Sequence, residues 1–228
     1  MRLLKKLKTM ETNTHALTVL FDLDGVILDT ETQYTRFWDE QGSRYLGIAG
    51  YGYRIKGQTL TQIYAGDFAG KPDAQAEISR SLQRFEHEMS YEYIPGVQTF
   101  IADLRAHGVS IAVVTSSDEA KMEQVYRAHP GFAEQFDRIL TAGMFTRSKP
   151  APDCFLLGME LFNATPGQTF VFEDSFHGLQ AGRDSGAMVV GLATTHTREV
   201  LDGKAHYLID DFCRMTHAQL LAWSLLRN

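Results

Sequence analysis

Two carboxylates, Asp22 and Asp24, stand one residue apart where an apolar run from Ala16 to Phe21 ends. The run predicts a buried strand over Leu17 to Phe21, because near-continuous apolar segments pack on both faces of parallel sheets. The carboxyl end of such a strand is where α/β proteins place ligands. Alternation turns Asp22 and Asp24 to the same side. Neighbouring ionised carboxylates repel, so the pair either shares a proton or holds a cation, and both arrangements suit catalysis. An Asp-Gly turn closing the strand is the other reading of Phe21-Asp22-Leu23-Asp24-Gly25-Val26, and on these residues alone both stand.

Three more polar groups fall at or just beyond expected strand ends. Thr115-Ser116-Ser117 follows the apolar run Ile111 to Val114, so hydroxyls and backbone N–H groups meet a helix start, a natural place for an anion. A capping box of Ser116 with Glu119 is the alternative there, and Thr115, nearer the strand end, is the better phosphate ligand. Lys149 precedes Pro150-Ala151-Pro152, a stiff loop that could aim its ammonium, against the ordinary reading of a surface lysine. Glu173 and Asp174 close the strand Thr169 to Phe172. One of them capping the next helix is common, but with Asp22 and Asp24 they would make an oxygen-rich site suited to magnesium. No His or Cys cluster offers a zinc site.

The elements that must position these groups follow an α/β rhythm. Val97 to Ala106 reads as a helix, Ser110 to Val114 as a strand, Asp118 to Ala128 as a helix and Arg138 to Thr141 as a short strand. Asp153 to Phe162, the strand Thr169 to Phe172, a helix near His177 to Ser185 and the strand Met188 to Leu192 continue it. Repeated βα units imply a mostly parallel sheet covered on both faces, a Rossmann-like core. Between Thr30 and Tyr93 no buried strand is expected and the periodicity is helical, as in Ala74 to Met89. The organisation is therefore a basic lead-in over 1–14, an α/β core from 15–29 and 95–228, and an inserted α-helical cap over 30–94, bounded by Asp29-Thr30-Glu31 and Ile94-Pro95-Gly96.

A net charge of −6 over 228 residues argues against a nucleic-acid partner. No apolar stretch approaches a membrane span, and the lead-in, with Arg2, Lys5, Lys6 and Lys8, lacks the apolar core of a secretory signal. The only cysteines, Cys154 and Cys213, read as buried thiols in a cytoplasmic protein. Gly52 to Thr59 approaches a P-loop, but Gln58 stands where a lysine is required and no buried strand precedes it, so nucleotide triphosphate binding is not expected.

In order along the chain, the first motif with Asp29-Thr30-Glu31, then Val114-Thr115-Ser116-Ser117, Ser148-Lys149-Pro150-Ala151-Pro152-Asp153 and Phe172-Glu173-Asp174-Ser175 resemble the four motifs of the haloacid dehalogenase superfamily. The closest likeness is to its β-phosphoglucomutase-like branch, whose helical cap follows the first motif, and it covers nearly the whole chain after the lead-in. The resemblance implies that Asp22 is a nucleophile taking the phosphoryl group and Asp24 a general acid and then base. It implies Mg²⁺ held by Asp22, the Asp24 carbonyl and Asp174, with Glu173 direct or through water, and phosphate oxygens held by Thr115, Ser116 and Lys149. For its acid role Asp24 must be protonated with substrate bound, its carboxyl raised well above about 3.9.

Within the branch, Arg36, Trp38 and Lys56-Gly57 are similar to the sugar-phosphate mutases, which usually carry a histidine at Tyr34 and an arginine at Leu60. That arginine anchors a second phosphate, so Leu60 favours a phosphatase, with a mutase as the alternative. Arg54, Lys56 and Gln58 are candidate substrate contacts in the cap, against a solvated loop. A signalling receiver domain shares the aspartate, Mg²⁺, threonine and lysine, but Asp24 and the cap argue against it. The expected protein is a monomeric enzyme of a small phosphorylated substrate, with neither nucleic acid nor membrane as partner.

Overall fold

The computed structural model describes residues 17–226. The lead-in over 1–14 lies outside these residues. Six strands form one sheet: β1 (Thr18–Phe21), β2 (Ser110–Val114), β3 (Arg138–Leu140), β4 (Thr169–Glu173), β5 (Met188–Leu192) and β6 (Tyr207–Ile209), in the order β3-β2-β1-β4-β5-β6. Every pairing is parallel. The chain lays β2 and β3 to one side of β1 and then crosses back to lay β4, β5 and β6 to the other. This creates a topological switch point beside β1, where ligands of open α/β sheets bind.

Register decides which residues meet there. Phe21 pairs with Val113 on one side and Phe172 on the other, so Asp22, the Thr115 turn and the Glu173–Asp174 pair emerge along one edge. The central strands β2, β1, β4 and β5 are buried on both faces, and their alternation builds two cores. Val19, Phe21, Ile111, Val113, Phe170 and Phe172 face α5 (Val97–Ala106), α6 (Glu119–Ala128) and the C-terminal helix. Leu20, Ala112, Val114 and Val171 face α7 (Asp153–Leu161) and α8 (Phe176–Asp184). Directly behind Asp22, Phe21 stacks on Phe172 at 5.1 Å between centroids, with Phe100 and Phe212 packed around them. Rings in contact have few alternative rotamers, so the strand end is a rigid base for the carboxylates.

After β1 the chain makes a tight loop and enters four helices, α1 (Glu31–Leu46), α2 (Tyr51–Arg54), α3 (Leu60–Ala65) and α4 (Pro72–Glu88). They form the cap around their own core of Phe37, Trp38, Tyr51, Ile55, Ile63, Phe68, Ile78 and Leu82. Thr59 starts α3 with a capping box shared with Gln62, and Pro72 starts α4 at its first turn, where its missing N–H costs nothing. A bridge between Leu28 and Tyr93 ties the outgoing strand exit to the returning chain.

Four details differ from the sequence reading. The strand β4 runs one residue further, through Glu173, and α8 begins at Phe176 because Ser175, whose Oγ accepts from the Gly178 N–H, caps it. Beyond Leu192 the chain continues with α9 (Arg198–Leu201), β6 and α10 (His217–Leu226). The strand β6 is only three half-buried residues, too short for a periodicity to register. Cys154 is buried as expected, but Cys213 is exposed. Phe212 takes the inward position of that loop and leaves its neighbour outside.

Candidate active site

At the end of β1 the backbone N–H of Asp22 donates to the Phe172 carbonyl at 3.0 Å, extending the sheet ladder by one residue. Lys149, 1% exposed, reaches this point from the loop before α7. Its Nζ donates to Asp22 Oδ1 at 2.7 Å, to Glu173 Oε1 at 2.6 Å and to the Val114 carbonyl at 3.2 Å. All three ammonium hydrogens therefore have protein acceptors, and contact with a phosphate oxygen requires one of them to be exchanged. Glu173 is held as firmly: its Oε2 accepts from the N–H groups of Asp174 and Ser175 and from the Ser175 hydroxyl. A Cβ added at Gly178 would lie 1.8 Å from Glu173 Oε1, so a glycine is required where α8 passes over the carboxylate.

Asp22, Glu173 and Asp174 bring carboxylate oxygens within 4.8 Å of one another, all buried. One ammonium faces three carboxylates. Burial pushes the Asp22 carboxyl up, with Glu173 and Asp24 adding to the effect and Lys149 opposing it. Burial and the neighbouring Glu31, Glu173 and Asp22 charges raise Asp174 well above its ordinary range, against a hydrogen bond from Thr195. Lys149 is held charged by Asp22 and Glu173 in spite of its own burial. The cluster is short of positive charge, and its donors are hard oxygens, which fits Mg²⁺. Gly25 makes the space: its φ is +72°, and a Cβ there would lie 2.1 Å from Asp174 Oδ2.

Asp24 is held differently. Its Oδ1 accepts from the Thr30 hydroxyl and forms an ion pair with Lys121 of α6, and its Oδ2 accepts from the Ser117 hydroxyl at 3.1 Å. Burial alone would raise this carboxyl, but Lys121 and the three hydrogen bonds outweigh it and hold Asp24 below the ordinary carboxylate range. The two carboxyls therefore differ in sign, Asp24 held ionised beside Lys121 and Asp22 pushed up by burial.

The hydroxyl turn divides its work. Thr115 Oγ1 accepts from the Ser117 N–H at 3.0 Å and shapes the turn, while Ser117 serves Asp24. The capping box of Ser116 with Glu119 does not form; Asp118 caps α6 by accepting from the Lys121 N–H. That leaves the Ser116 Oγ buried without a partner. An unpartnered buried hydroxyl beside an anion-favouring helix start is what an incoming phosphate oxygen would satisfy.

A cavity of about 330 Å³ opens over these groups, walled by the cap. Lys56, Gln58 and Leu60 line it, whereas Arg54 is exposed and lies outside its lining. Lys56 is ion-paired with Glu31, and its carbonyl lies 2.8 Å from His177 Nδ1 of the core. Gln62 Nε2 donates to the Lys149 carbonyl at 3.1 Å, a second tie between cap and core. The sequence reading missed Lys121, Ser117 and the contact of Thr30 with Asp24. The last two lie within quoted motif segments, but Lys121 carries no signal beyond its place one turn into a helix.

Carboxylates that need a cation, set against donors that need an anion beneath a helical cap, define the class of capped α/β phosphohydrolases. The chain belongs to the haloacid dehalogenase-like hydrolases, whose family profile matches residues 19–192. Protein CbbY of Cereibacter sphaeroides is 28% identical over 216 residues, 86% of this chain and 93% of its own length. Fructose-1-phosphate phosphatase YqaB of Escherichia coli (strain K12) is 30% identical over 183 residues, 74% of this chain and 92% of its own. Among solved structures, CbbY from Rhodobacter sphaeroides in complex with xylulose-(1,5)bisphosphate matches with a TM-score of 0.74 at 25% identity. That likeness covers 90% of this chain and 99% of the other.

Proposed function

We propose that this protein is a magnesium-dependent phosphatase that hydrolyses small phosphate monoesters through a phosphoaspartate at Asp22. The observation that carries the reading is the buried group of three carboxylates, two of them paired with Lys149, short of one cation and open to the cavity beside the unpartnered Ser116 hydroxyl. Phosphoryl transfer spreads charge over three oxygens, and positioned donors and cations must stabilise it.

In the first half, Asp22 Oδ attacks phosphorus, the bond from phosphorus to the ester oxygen breaks, and that oxygen keeps the electron pair and takes a proton from Asp24. Phosphate charge entering beside Asp24 raises its carboxyl and supplies the condition for carrying that proton. In the second half, Asp24, now a carboxylate, takes a proton from water as the water oxygen bonds phosphorus, and the phosphorus–Asp22 bond breaks with its electrons returning to Asp22. Lys149, Ser116 and Thr115 meet the phosphoryl oxygens, Thr115 also accepting the Ser117 N–H that shapes the turn. Magnesium bound by Asp22, Asp174 and the Asp24 carbonyl, with Glu173 behind, would supply the charge that lets an anionic carboxylate approach an anionic phosphate.

The cavity lining also supports a substrate class. Its cap side presents Thr35, Ser79, Gln83 and Glu86, and among the described residues no arginine lines it. Its other lysines, Lys56 and Lys121, are ion-paired with Glu31 and Asp24. A hydroxyl-rich leaving group with one phosphate, such as a sugar monophosphate, finds partners here; a second phosphate finds no uncommitted cation. This favours hydrolysis over the mutase alternative and fits a cytoplasmic metabolic enzyme. The test is phosphate release from a panel of sugar and nucleoside monophosphates with and without Mg²⁺, using the native protein, Asp22→Asn and Asp24→Asn. Undiminished turnover by Asp22→Asn overturns the nucleophile assignment, and interconversion of hexose 1- and 6-phosphates without net phosphate release establishes the mutase instead.

A further inference from the structure

Lys121 lines the site, yet none of the four motifs contains it. Asp118 caps α6 at its side chain and thereby fixes the first turn, which carries Lys121 toward the end of β1. Its residue is 3% exposed. A buried ammonium is costly unless it is paired, and this one has two recorded partners: the Asp24 Oδ1 ion pair and the face of the Tyr34 ring, whose centroid is 4.3 Å from Nζ. Tyr34 belongs to α1 of the cap, and its hydroxyl donates at 2.8 Å to Glu86 Oε1 of α4. The two aspartates therefore have separate lysines. Lys149 ties Asp22 to the sheet edge, while Lys121 ties Asp24 to α6 and, through one aromatic ring, to the cap.

Of the three groups that hold the Asp24 carboxylate, Thr30 and Ser117 are neutral hydroxyls and Lys121 is the ionic one. A carboxylate that must meet a leaving oxygen gains from a fixed orientation, because misplacement by about 1 Å costs on the order of 10²-fold in rate. We propose that Lys121 is a positioning residue for Asp24, its ammonium fixing that carboxyl group on the leaving-group side of the cavity. The proposal rests on the phosphatase reading above and adds a residue that the family motifs do not contain.

The test compares kcat/KM for an alkyl phosphate, which needs its leaving oxygen protonated, and for p-nitrophenyl phosphate, whose leaving group departs as a stable anion. Native protein, Lys121→Met, Lys121→Gln, Lys121→Arg and Asp24→Asn are assayed at saturating Mg²⁺. The expected result for Lys121→Met is a loss of about 30-fold or more on the alkyl ester and less than about threefold on the aryl ester, with most of the loss restored by arginine. Lys121→Gln, smaller in its disturbance of the pocket, should give the same unequal pattern, and thermal melting confirms that each variant is folded. Equal losses on both esters, or no loss on either, overturn the proposal. Asp24→Asn separates the two levels: if it too shows no preference between esters, the acid–base reading fails and the Lys121 proposal with it. If Asp24→Asn discriminates and the Lys121 variants do not, the Lys121 proposal alone fails.

Discussion

The sheet end and the cap treat charge in opposite ways. At the sheet end, Asp22, Glu173, Asp174 and Lys149 are almost fully buried on strands and loops braced by stacked phenylalanines, and each has a hydrogen-bond partner in the protein. On the cap side of the cavity, Thr35, Ser79, Gln83 and Glu86 present hydroxyl, amide and carboxylate groups from helices whose core is much smaller. Rigidity and uncompensated charge belong with the reacting atoms, because electrostatic stabilisation works only when its donors need no rearrangement. Dispersed hydrogen bonding, rather than a buried charge cluster, belongs with the part that selects the leaving group. Substitutions at the sheet end should therefore act on kcat, and those in the cap on KM and substrate choice.

The comparison is broken most severely at the nucleophile. Asp22→Asn should lower kcat by on the order of 10³-fold or more with little change in melting temperature, since no atom count changes and the carboxylate excess is relieved. Lys149→Met should lower both activity and stability, the latter by about 3–5 kcal/mol in chemical denaturation without metal, because it strands two buried carboxylates, Asp22 and Glu173. Mg²⁺ should recover part of that loss.

A titration sharpens the same point. Asp22 and Asp174 are raised in the folded, metal-free chain, so above the ordinary carboxylate range the folded state binds more protons than the unfolded one. Its stability is then present at low pH and lost as pH rises through the raised values. The melting temperature of metal-free protein should fall over that interval, and the increment given by Mg²⁺ should grow with pH; an increment that shrinks would contradict the charge shortfall. The smallest expected effect lies in the cap. Gln83→Ala should raise KM for a sugar monophosphate by about 3- to 10-fold, the value of one or two hydrogen bonds, and leave kcat and p-nitrophenyl phosphate turnover nearly unchanged.

Much of this site can be read in the sequence because its residues are local to strand ends. Asp22, Thr115, Glu173 and Asp174 each follow an apolar run, and parallel register brings such ends to one edge. Lys121 is not legible, because a lysine in the first turn of an amphipathic helix normally faces solvent; only docking of α6 against the cap buries it. Nor does local pattern separate the three hydroxyls of the Thr115 turn. Thr115 accepts the Ser117 N–H, Ser117 donates to Asp24, and the Ser116 hydroxyl is left unpartnered, a division that depends on Asp118 rather than Ser116 capping the helix. Arg54 lies outside the cavity while Lys56, two residues on, lines it, since α2 ends between them and the chain turns inward.

By itself the sequence determined the parallel core, the inserted helical cap and the identity of the paired aspartates, because hydrophobic periodicity and breaker residues act over a few neighbours. Tertiary structure decided how those aspartates differ. Burial, helped by Glu173 and Asp24, raises Asp22, whereas Lys121 outweighs the burial of Asp24 and lowers it. Charge interacts through space over several ångströms in a buried site, and the residues that set it come from segments nearly a hundred positions away along the chain.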